Sequence, residues 1–389
     1  MTTRIITGDA RTALADIPDG SISCCVTSPP YFNLRDYGTA TWDGGGPDCD
    51  HLMPVVATSG GRVGDNGRDR AASCGTFHGG PAGQKQHQFR DTCGKCGAVR
   101  ADTQIGMEPT LAEYVANLVA VFREVRRCLR DDGTLWIVIG DSYAGSSQTG
   151  GSGKETITGG KANQQITMHN GKRDVPPGLK PKDLMMVPAR VALALQDDGW
   201  YLRSDIIWHK TAPMPESVTD RPTSAHEHIF LLTKRKTYYY DADAVREAHA
   251  DSSVRRANLG RDYAGRGDRG EKMVGRAEQG LHSASTTLGG FIHSPTGRNQ
   301  RNVWTLGPAP YAQAHFAVFP PEIPRRCILA GSREGDTVLD PFSGAGTTGL
   351  VADRLGRHYV GIELNPEYVT MAENRIRNDA PLFAEEIPA

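Results

Sequence analysis

The stretch "DTVLDPFSGAGTTGLVADRLGRHYVGIELNP", Asp336 to Pro366, constrains the fold of this chain more than any other. An apolar strand runs into Asp340, a turn carries Gly344 and Gly346, a helix continues through Leu355, and a second strand ends in Glu363. Asn365 as a helix cap and Pro366 at the first helical position open a further helix. Such a β-α-β-α unit implies a parallel sheet covered by helices. It also has the logic of a nucleotide-cofactor site. Glycines let the backbone approach a ligand, a helix start offers free N–H groups, and an acid on the next strand receives ribose hydroxyls. A tight structural turn beside a solvated Glu363 is the plainer alternative. The turn has no Gly-Lys-Ser/Thr ending, which argues against a nucleoside triphosphate.

Elsewhere, "TRIITGD", "SISCCVTS", "WYLRSDIIWHK" and "HEHIFLLTKR" read as strands, and "TLWIVIGD" reads as a strand buried on both faces because it is apolar throughout. A long helix is expected from Leu111, with Val115, Leu118, Phe122, Val125 and Leu129 on one face, Thr110 and Glu113 as a capping box and Gly133 as its stop. "VPARVALALQDDG" is a second helix. Residues 144–180, rich in Gly, Ser, Lys and Asn, read as a mobile loop. The expected fold is α/β, a doubly wound, mostly parallel, Rossmann-like sheet of seven strands with a reversed edge strand and polar insertions. Its domain would be discontinuous, formed by 1–43, 107–243 and 303–380, with insertions at 44–106 and 244–302.

Bulk properties restrict the function. The 389 residues carry a net charge of −1, so any nucleic-acid surface must be local. No apolar run approaches the ~18 residues of a membrane span, and the N-terminus lacks the form of a signal peptide. Eight cysteines over this length do not suggest a disulfide scaffold, so a reducing cytoplasm is expected.

The segment "SCCVTSPPYFNLRDYG" places Ser28, Pro29, Pro30 and Tyr31 directly after a strand. Together, "TSPPY" and "DPFSGAGTT" resemble the beta group of DNA amino-methyltransferases, in which the catalytic motif comes first and the cofactor motif last. The resemblance covers about 1–43, 107–143, 183–242 and 303–377, and leaves the insertions unexplained. It implies S-adenosylmethionine as cofactor, a molecule that has a ribose and needs no phosphate cradle. It implies that Asp340, Phe342, Ser343, Gly344 and Gly346 form the cofactor loop, with Glu363 on the ribose and Asp9 near the adenine edge. Thr347 and Thr348 match the helix start beside the methionine end. Phe319 and Pro320 are further candidates there, or else simply a turn before a helix at Pro321.

Ser-Pro-Pro-Tyr suits the chemistry. An exocyclic amine is a weak nucleophile because its lone pair is delocalised into the ring. Rigid acceptors, the Ser28 hydroxyl and the Pro29 carbonyl, would draw its hydrogens out of plane, and Tyr31 would stack on an extruded base. Cys24 and Cys25 precede the prolines within a strand and are assigned to the core, not to nucleophilic attack. Ser at the first motif position resembles the cytosine-N4 enzymes, with adenine-N6 as the alternative. Modification of RNA or of a protein glutamine, and a non-catalytic DNA-binding zinc module, are further alternatives. A restriction system, a phage or an orphan setting, and a monomer or a dimer, all remain open.

Cys49 and His51, with Cys93 and Cys96 in "DTCGKCGAV", form a Cys-x-His and Cys-x-x-Cys pair suited to a structural zinc ion, with Cys74 and His78 as rival ligands. The insertion 244–302 holds ten Lys or Arg against six Asp or Glu and is the expected contact with double-stranded DNA. Arg255, Arg256, Arg261, Arg266, Arg269 and Arg298 are its candidate contacts. His209 and Lys210, in "WHKTAPMPES", are secondary candidates for lining the base pocket.

Overall fold

Apolar side chains alternating between two faces of one central strand set the architecture. On β5 (Leu129–Ile139), Leu135 and Ile137 enter one core while Trp136 and Val138 enter another, all essentially inaccessible to water. Both faces must therefore be covered, and helices cover them. The computed structural model describes residues 1–32, 39–51, 92–145, 175–249, 297–307 and 319–379. The chain divides into two compact units, Met1–Arg35 with Ile105–Gly160 and His169–Ala389, and Asp36–Gln104 with Lys161–Met168.

The larger unit holds an eight-stranded sheet. Its strands are β1 (Thr3–Thr7), β2 (Ile22–Thr27), β5, β6 (Tyr201–Lys210), β7 (His226–Thr233), β8 (Val303–Leu306), β9 (Thr337–Asp340) and β10 (His358–Glu363), in the order β1-β10-β9-β2-β5-β7-β6-β8. The doubly wound, mostly parallel class expected from the sequence is present. β7 is antiparallel to both of its neighbours, and every other pair is parallel. Two details go beyond expectation. The reversed strand lies between β5 and β6 rather than at the margin, and β8 adds an eighth strand outside β6. With four residues, β8 is too short for its pattern to register in sequence.

Helices α1 (Ala10–Ala13), α2 (Leu111–Cys128) and α3 (Val187–Asp197) pack on one face, and α4 (Glu322–Gly331), α5 (Thr347–Arg354) and α6 (Pro366–Asp379) on the other. The predicted cap of α2 is present, with the Thr110 hydroxyl accepting from the Glu113 N–H at 3.2 Å. Its predicted end is not. α2 stops at Cys128, Leu129 opens β5, and Gly133 lies inside that strand. The β2–β5 register shifts between Ile22 and Cys24, and a Cβ on Gly133 would stand 3.1 Å from the Ser23 carbonyl oxygen. The glycine thus permits a close approach of two strands at an irregularity.

The smaller unit contains the hairpin of β3 (Thr41–Asp43) and β4 (Val99–Ala101). Residues 52–91, which include Cys74 and His78, 146–174 and 250–296 lie outside the described residues.

Candidate functional site

Strands β9 and β2 are parallel neighbours, paired Cys24 with Val338 and Cys25 with Leu339. The helix after β9, α5, lies on one face of the sheet and the helix before β5, α2, on the other. Departure of crossovers to opposite faces leaves a crevice at the carboxyl ends of the two strands, which is where doubly wound sheets bind ligands. Positions near 30 and near 344, far apart in sequence, therefore meet. The Thr27 hydroxyl donates to Asp340 Oδ1 at 2.6 Å, and the Thr348 hydroxyl donates to the Val26 carbonyl at 3.2 Å.

Acids stand at the ends of three neighbouring strands, Asp340 in β9, Glu363 in β10 and Asp9 two residues after β1. Asp340 is 1% exposed. Burial pushes its carboxyl up to about 6, against the pull of hydrogen bonds from the Thr27 hydroxyl and the Phe342 N–H. Glu363 is held at both oxygens, by the Gly344 N–H at 2.8 Å and the Asn365 N–H at 2.9 Å, and burial raises its pKa too. The Gly8 N–H donates to the Glu363 carbonyl, which brings Asp9 alongside. Burial works to raise the Asp9 carboxyl, but hydrogen bonds and the charge of Arg11 hold it below the ordinary value.

The loop between these acids is shaped by glycine. Gly346 sits at φ 72°, and a Cβ there would come within 2.7 Å of the Ala372 Cβ on α6. Gly344, at φ 50°, has nothing among the described residues beyond its chain neighbours nearer than 4.0 Å to an added Cβ. The Ser343 hydroxyl bonds that of Tyr359 at 2.9 Å. Thr347 and Thr348 are buried, and Thr347 accepts from Arg375 at 2.9 Å, so both hydroxyls brace the loop. Pro320 is buried and its carbonyl accepts from the Ile323 N–H, which makes it the turn that opens α4. Phe319 packs against the core under α4.

Across the crevice, Ser28 and Pro30 are half-buried and Pro29 is buried. The Tyr114 hydroxyl on α2 donates to the Pro30 carbonyl at 2.8 Å. Tyr31 donates to Glu227 Oε2 at 2.6 Å, and Lys210 binds the other oxygen, Oε1. Burial and then the Glu227 charge raise the Tyr31 phenol well above its ordinary pKa, so it stays a donor. Sequence reasoning did not find Glu227, which lies between His226 and His228 at the polar start of β7 and carries no local signal. It also passed over Asp141, whose Oδ1 accepts from the N–H groups of Ser142 and Val187 and so caps α3 from a distance. His209 points to the opposite face of β6 from Lys210 and bonds the Thr305 hydroxyl at 3.3 Å. Cys24 and Cys25 are core residues. Burial raises the Cys24 thiol to about 12 and the Cys25 thiol well above its usual value, so neither is a nucleophile.

In the smaller unit, one ligand atom from each of Cys49, His51, Cys93 and Cys96 lies within 4.8 Å of the others. Cys49 and Cys93 sulfurs are 3.7 Å apart, and Cys96 Sγ is 3.6 Å from His51 Nδ1. The N–H groups of Ala98 and Gly46 point at Cys96 Sγ and lower that thiol to about 6. Gly97 turns at φ 74°, and the Trp42 ring stacks on His51 at 4.5 Å. At the base of the 244–302 insertion, Glu247 and Arg298 exchange both backbone hydrogen bonds and form a 3.1 Å ion pair. Arg298 thus joins residues 51 positions apart in sequence. The other five candidate arginines lie outside the described residues.

The model of the DNA methylase family (N6/N4) matches residues 22–374. The type II methyltransferase M.Cfr9I of Citrobacter freundii is 38% identical over 96% of this chain and 87% of its own length. M.SmaI of Serratia marcescens is 38% identical over 96% and 90%. The fold is similar to two solved structures, each with a TM-score of 0.50. One is the Thermus thermophilus protein TTHA0409 complexed with S-adenosyl-L-methionine (20% identity, 98% of this chain and 96% of that one). The other is the PvuII DNA methyltransferase, cytosine-N4-specific (17% identity, 100% and 89%). No helix among the described residues is long and apolar enough to cross a membrane. Fold, motif order and match extent agree: this chain belongs to the N6/N4 DNA methylase family.

Proposed function

We propose that the chain is a type II modification enzyme that transfers the methyl group of S-adenosylmethionine to the exocyclic N4 amine of cytosine in double-stranded DNA. The observation that carries this reading is the 2.6 Å bond from Thr27 to Asp340, which joins the Ser-Pro-Pro-Tyr turn and the glycine loop at one crevice. The crevice suits the cofactor. The space beside Gly344 among the described residues leaves room for a ligand at the backbone, and the rim offers carboxylates for hydroxyls and an amine. When bound, S-adenosylmethionine supplies an electrophilic sulfonium methyl. Asp340, Phe342, Ser343, Gly344, Gly346, Glu363 and Asp9 would hold it, with Thr347, Thr348, Phe319 and Pro320 supporting the loop and the neighbouring wall.

A base turned out of the duplex stacks on Tyr31. Ser28 and the Pro29 carbonyl accept the amine hydrogens and turn the nitrogen lone pair toward the methyl. The C–N bond forms as the methyl–sulfur bond breaks, and the cationic amine then releases one proton to solvent. The choice of cytosine rests on resemblance: Ser28 stands where the cytosine-N4 enzymes carry Ser, and the PvuII enzyme, whose fold is similar, is cytosine-N4-specific. The insertion 244–302 supplies the local basic surface for DNA.

We propose in addition that Cys49, His51, Cys93 and Cys96 hold one structural zinc ion. Tetrahedral zinc spaces two thiolate sulfurs by about 3.8 Å, and a sulfur and an imidazole nitrogen by about 3.6 Å. The two edges quoted above lie close to these. Four protein ligands leave no position for a reacting water.

Expression in a bacterial host, digestion of its DNA to nucleosides and mass spectrometry test the activity. N4-methylcytosine is expected. N6-methyladenine would overturn the base assignment, and neither product would overturn DNA methylation itself.

A further inference from the structure

Tyr31 is fixed at both of its ends. Its backbone follows two prolines, and the carbonyl of the second, Pro30, is held by Tyr114 at 2.8 Å. Its hydroxyl reaches Glu227, 196 residues later, at 2.6 Å. To do so the ring lies against Gly140 at the end of β5. A Cβ on Gly140 would stand 2.8 Å from Tyr31 Cε2 and 3.3 Å from the Glu227 carboxyl carbon. Both Glu227 oxygens are occupied, one by Tyr31 and one by Lys210, whose ammonium lies 4.8 Å from the centre of the Trp208 ring. The acid and the lysine are only 15% and 28% exposed, so their bonds are shielded from competing water.

Partly buried ion pairs contribute little net stability on average, because desolvation offsets their attraction. A tyrosine at a crevice mouth also needs no carboxylate partner, since water would satisfy its hydroxyl. What the pair does provide is direction. Prolines fix the backbone at Tyr31, but rotation about χ1 and χ2 would still swing the ring, and anchoring Oη stops that swing. We infer that the Glu227–Lys210 ion pair positions Tyr31, holding its ring as a rigid platform for the target base. Glu227 and Lys210 are positioning residues that act through the Tyr31 hydroxyl, and Gly140 provides the space in which ring and carboxylate meet. This inference rests on the reading of Tyr31 as the base platform.

The test is a cycle of Tyr31→Phe, Glu227→Gln and the double variant in the full-length protein. It measures the single-turnover rate of methyl transfer to duplex DNA at saturating S-adenosylmethionine, alongside cofactor affinity and thermal midpoint. Misplacement on the scale of 1 Å costs about ten- to a hundredfold in rate. Each single variant should lose about tenfold, and the double should lose no more than about twofold beyond either single, because both changes remove one coupling. Cofactor affinity should stay within about twofold. Lys210→Arg should retain most of the rate that Lys210→Met loses, a rescue that a purely structural role does not predict. A full rate in Glu227→Gln, or losses that multiply in the double variant, would overturn the inference. If Glu227→Gln fails to fold, Glu227→Asp, one methylene short of the phenol, replaces it with the same criteria. Full turnover in Tyr31→Ala would instead overturn the platform reading itself, so the two failures are distinguishable.

Discussion

The rim of the eight-stranded sheet and the cysteine-containing unit reach order by different physical routes. At the rim, Asp340, Glu363 and Ser28 stand at the ends of strands whose remaining residues are mostly buried, so two apolar cores hold the site in place. In the smaller unit the described buried apolar residues are only Cys93 and Ala98. A hairpin with so little core is marginal in water, and the zinc ion proposed for its four convergent Cys and His side chains would supply the order. The rim is stable first and functional second. On the proposed zinc reading, the smaller unit depends on its cluster for structure.

Metal removal tests this contrast most severely. Structural zinc contributes about 10 kcal/mol or more to the folding of small units. Chelation, or Cys96→Ser, should release about one zinc ion per chain and open the β3–β4 hairpin to protease, while cofactor binding at the rim survives. Metal analysis, limited proteolysis and calorimetry read the three quantities. Loss of cofactor binding together with zinc would abolish the contrast.

The next effect lies within the rim. Tyr31→Ala should lower turnover about a hundredfold, roughly 2.7 kcal/mol in the barrier, with cofactor affinity nearly intact. A parallel loss of both would remove the division between the transfer side and the cofactor side.

Gly346→Ala forces a Cβ against Ala372 and strains a positive φ, so it should destabilise the sheet unit by about 2–3 kcal/mol and weaken cofactor binding. The zinc content should not change. Thermal unfolding with metal analysis checks both.

The smallest effect is a pH dependence. The folded-state pKa of Asp340 is raised to about 6 from 3.8 by burial. The folded state therefore binds this proton more tightly, and its contribution to stability is present below about pH 4 and is lost as pH rises through 6. Compared with Asp340→Asn, the cofactor-free wild type should lose about 1–3 kcal/mol between pH 4 and 6.5. Chemical denaturation at a series of pH values measures the difference, and parallel curves would show that Asp340 pays no desolvation penalty.

Much of this molecule was legible residue by residue. The Thr110 cap, the Asn365–Pro366 helix start and the glycine loop after Asp340 are governed by neighbours within a few positions, and the structure contains each of them. The Cys and His pairs were legible because ligand chemistry restricts their spacing. The end of α2 was misread because Gly133 is a good helix stop by local rules, yet a close contact with β2 uses it inside a strand. Glu227 was missed because nothing local distinguishes an acid on β7 from a solvated one.

The sequence by itself determined the parallel α/β class, the two motifs and the Cys and His pairs that come together in the smaller unit, since each follows from short-range geometry or from the chemistry of side chains at fixed spacing. Only the tertiary structure decided that β7 lies inside the sheet, that Thr27 meets Asp340 313 residues away, and that Glu227 and Lys210 hold Tyr31. Such contacts exist only after strand order is chosen. Strand order depends on how the apolar faces of distant segments are buried together, and no local pattern carries that information.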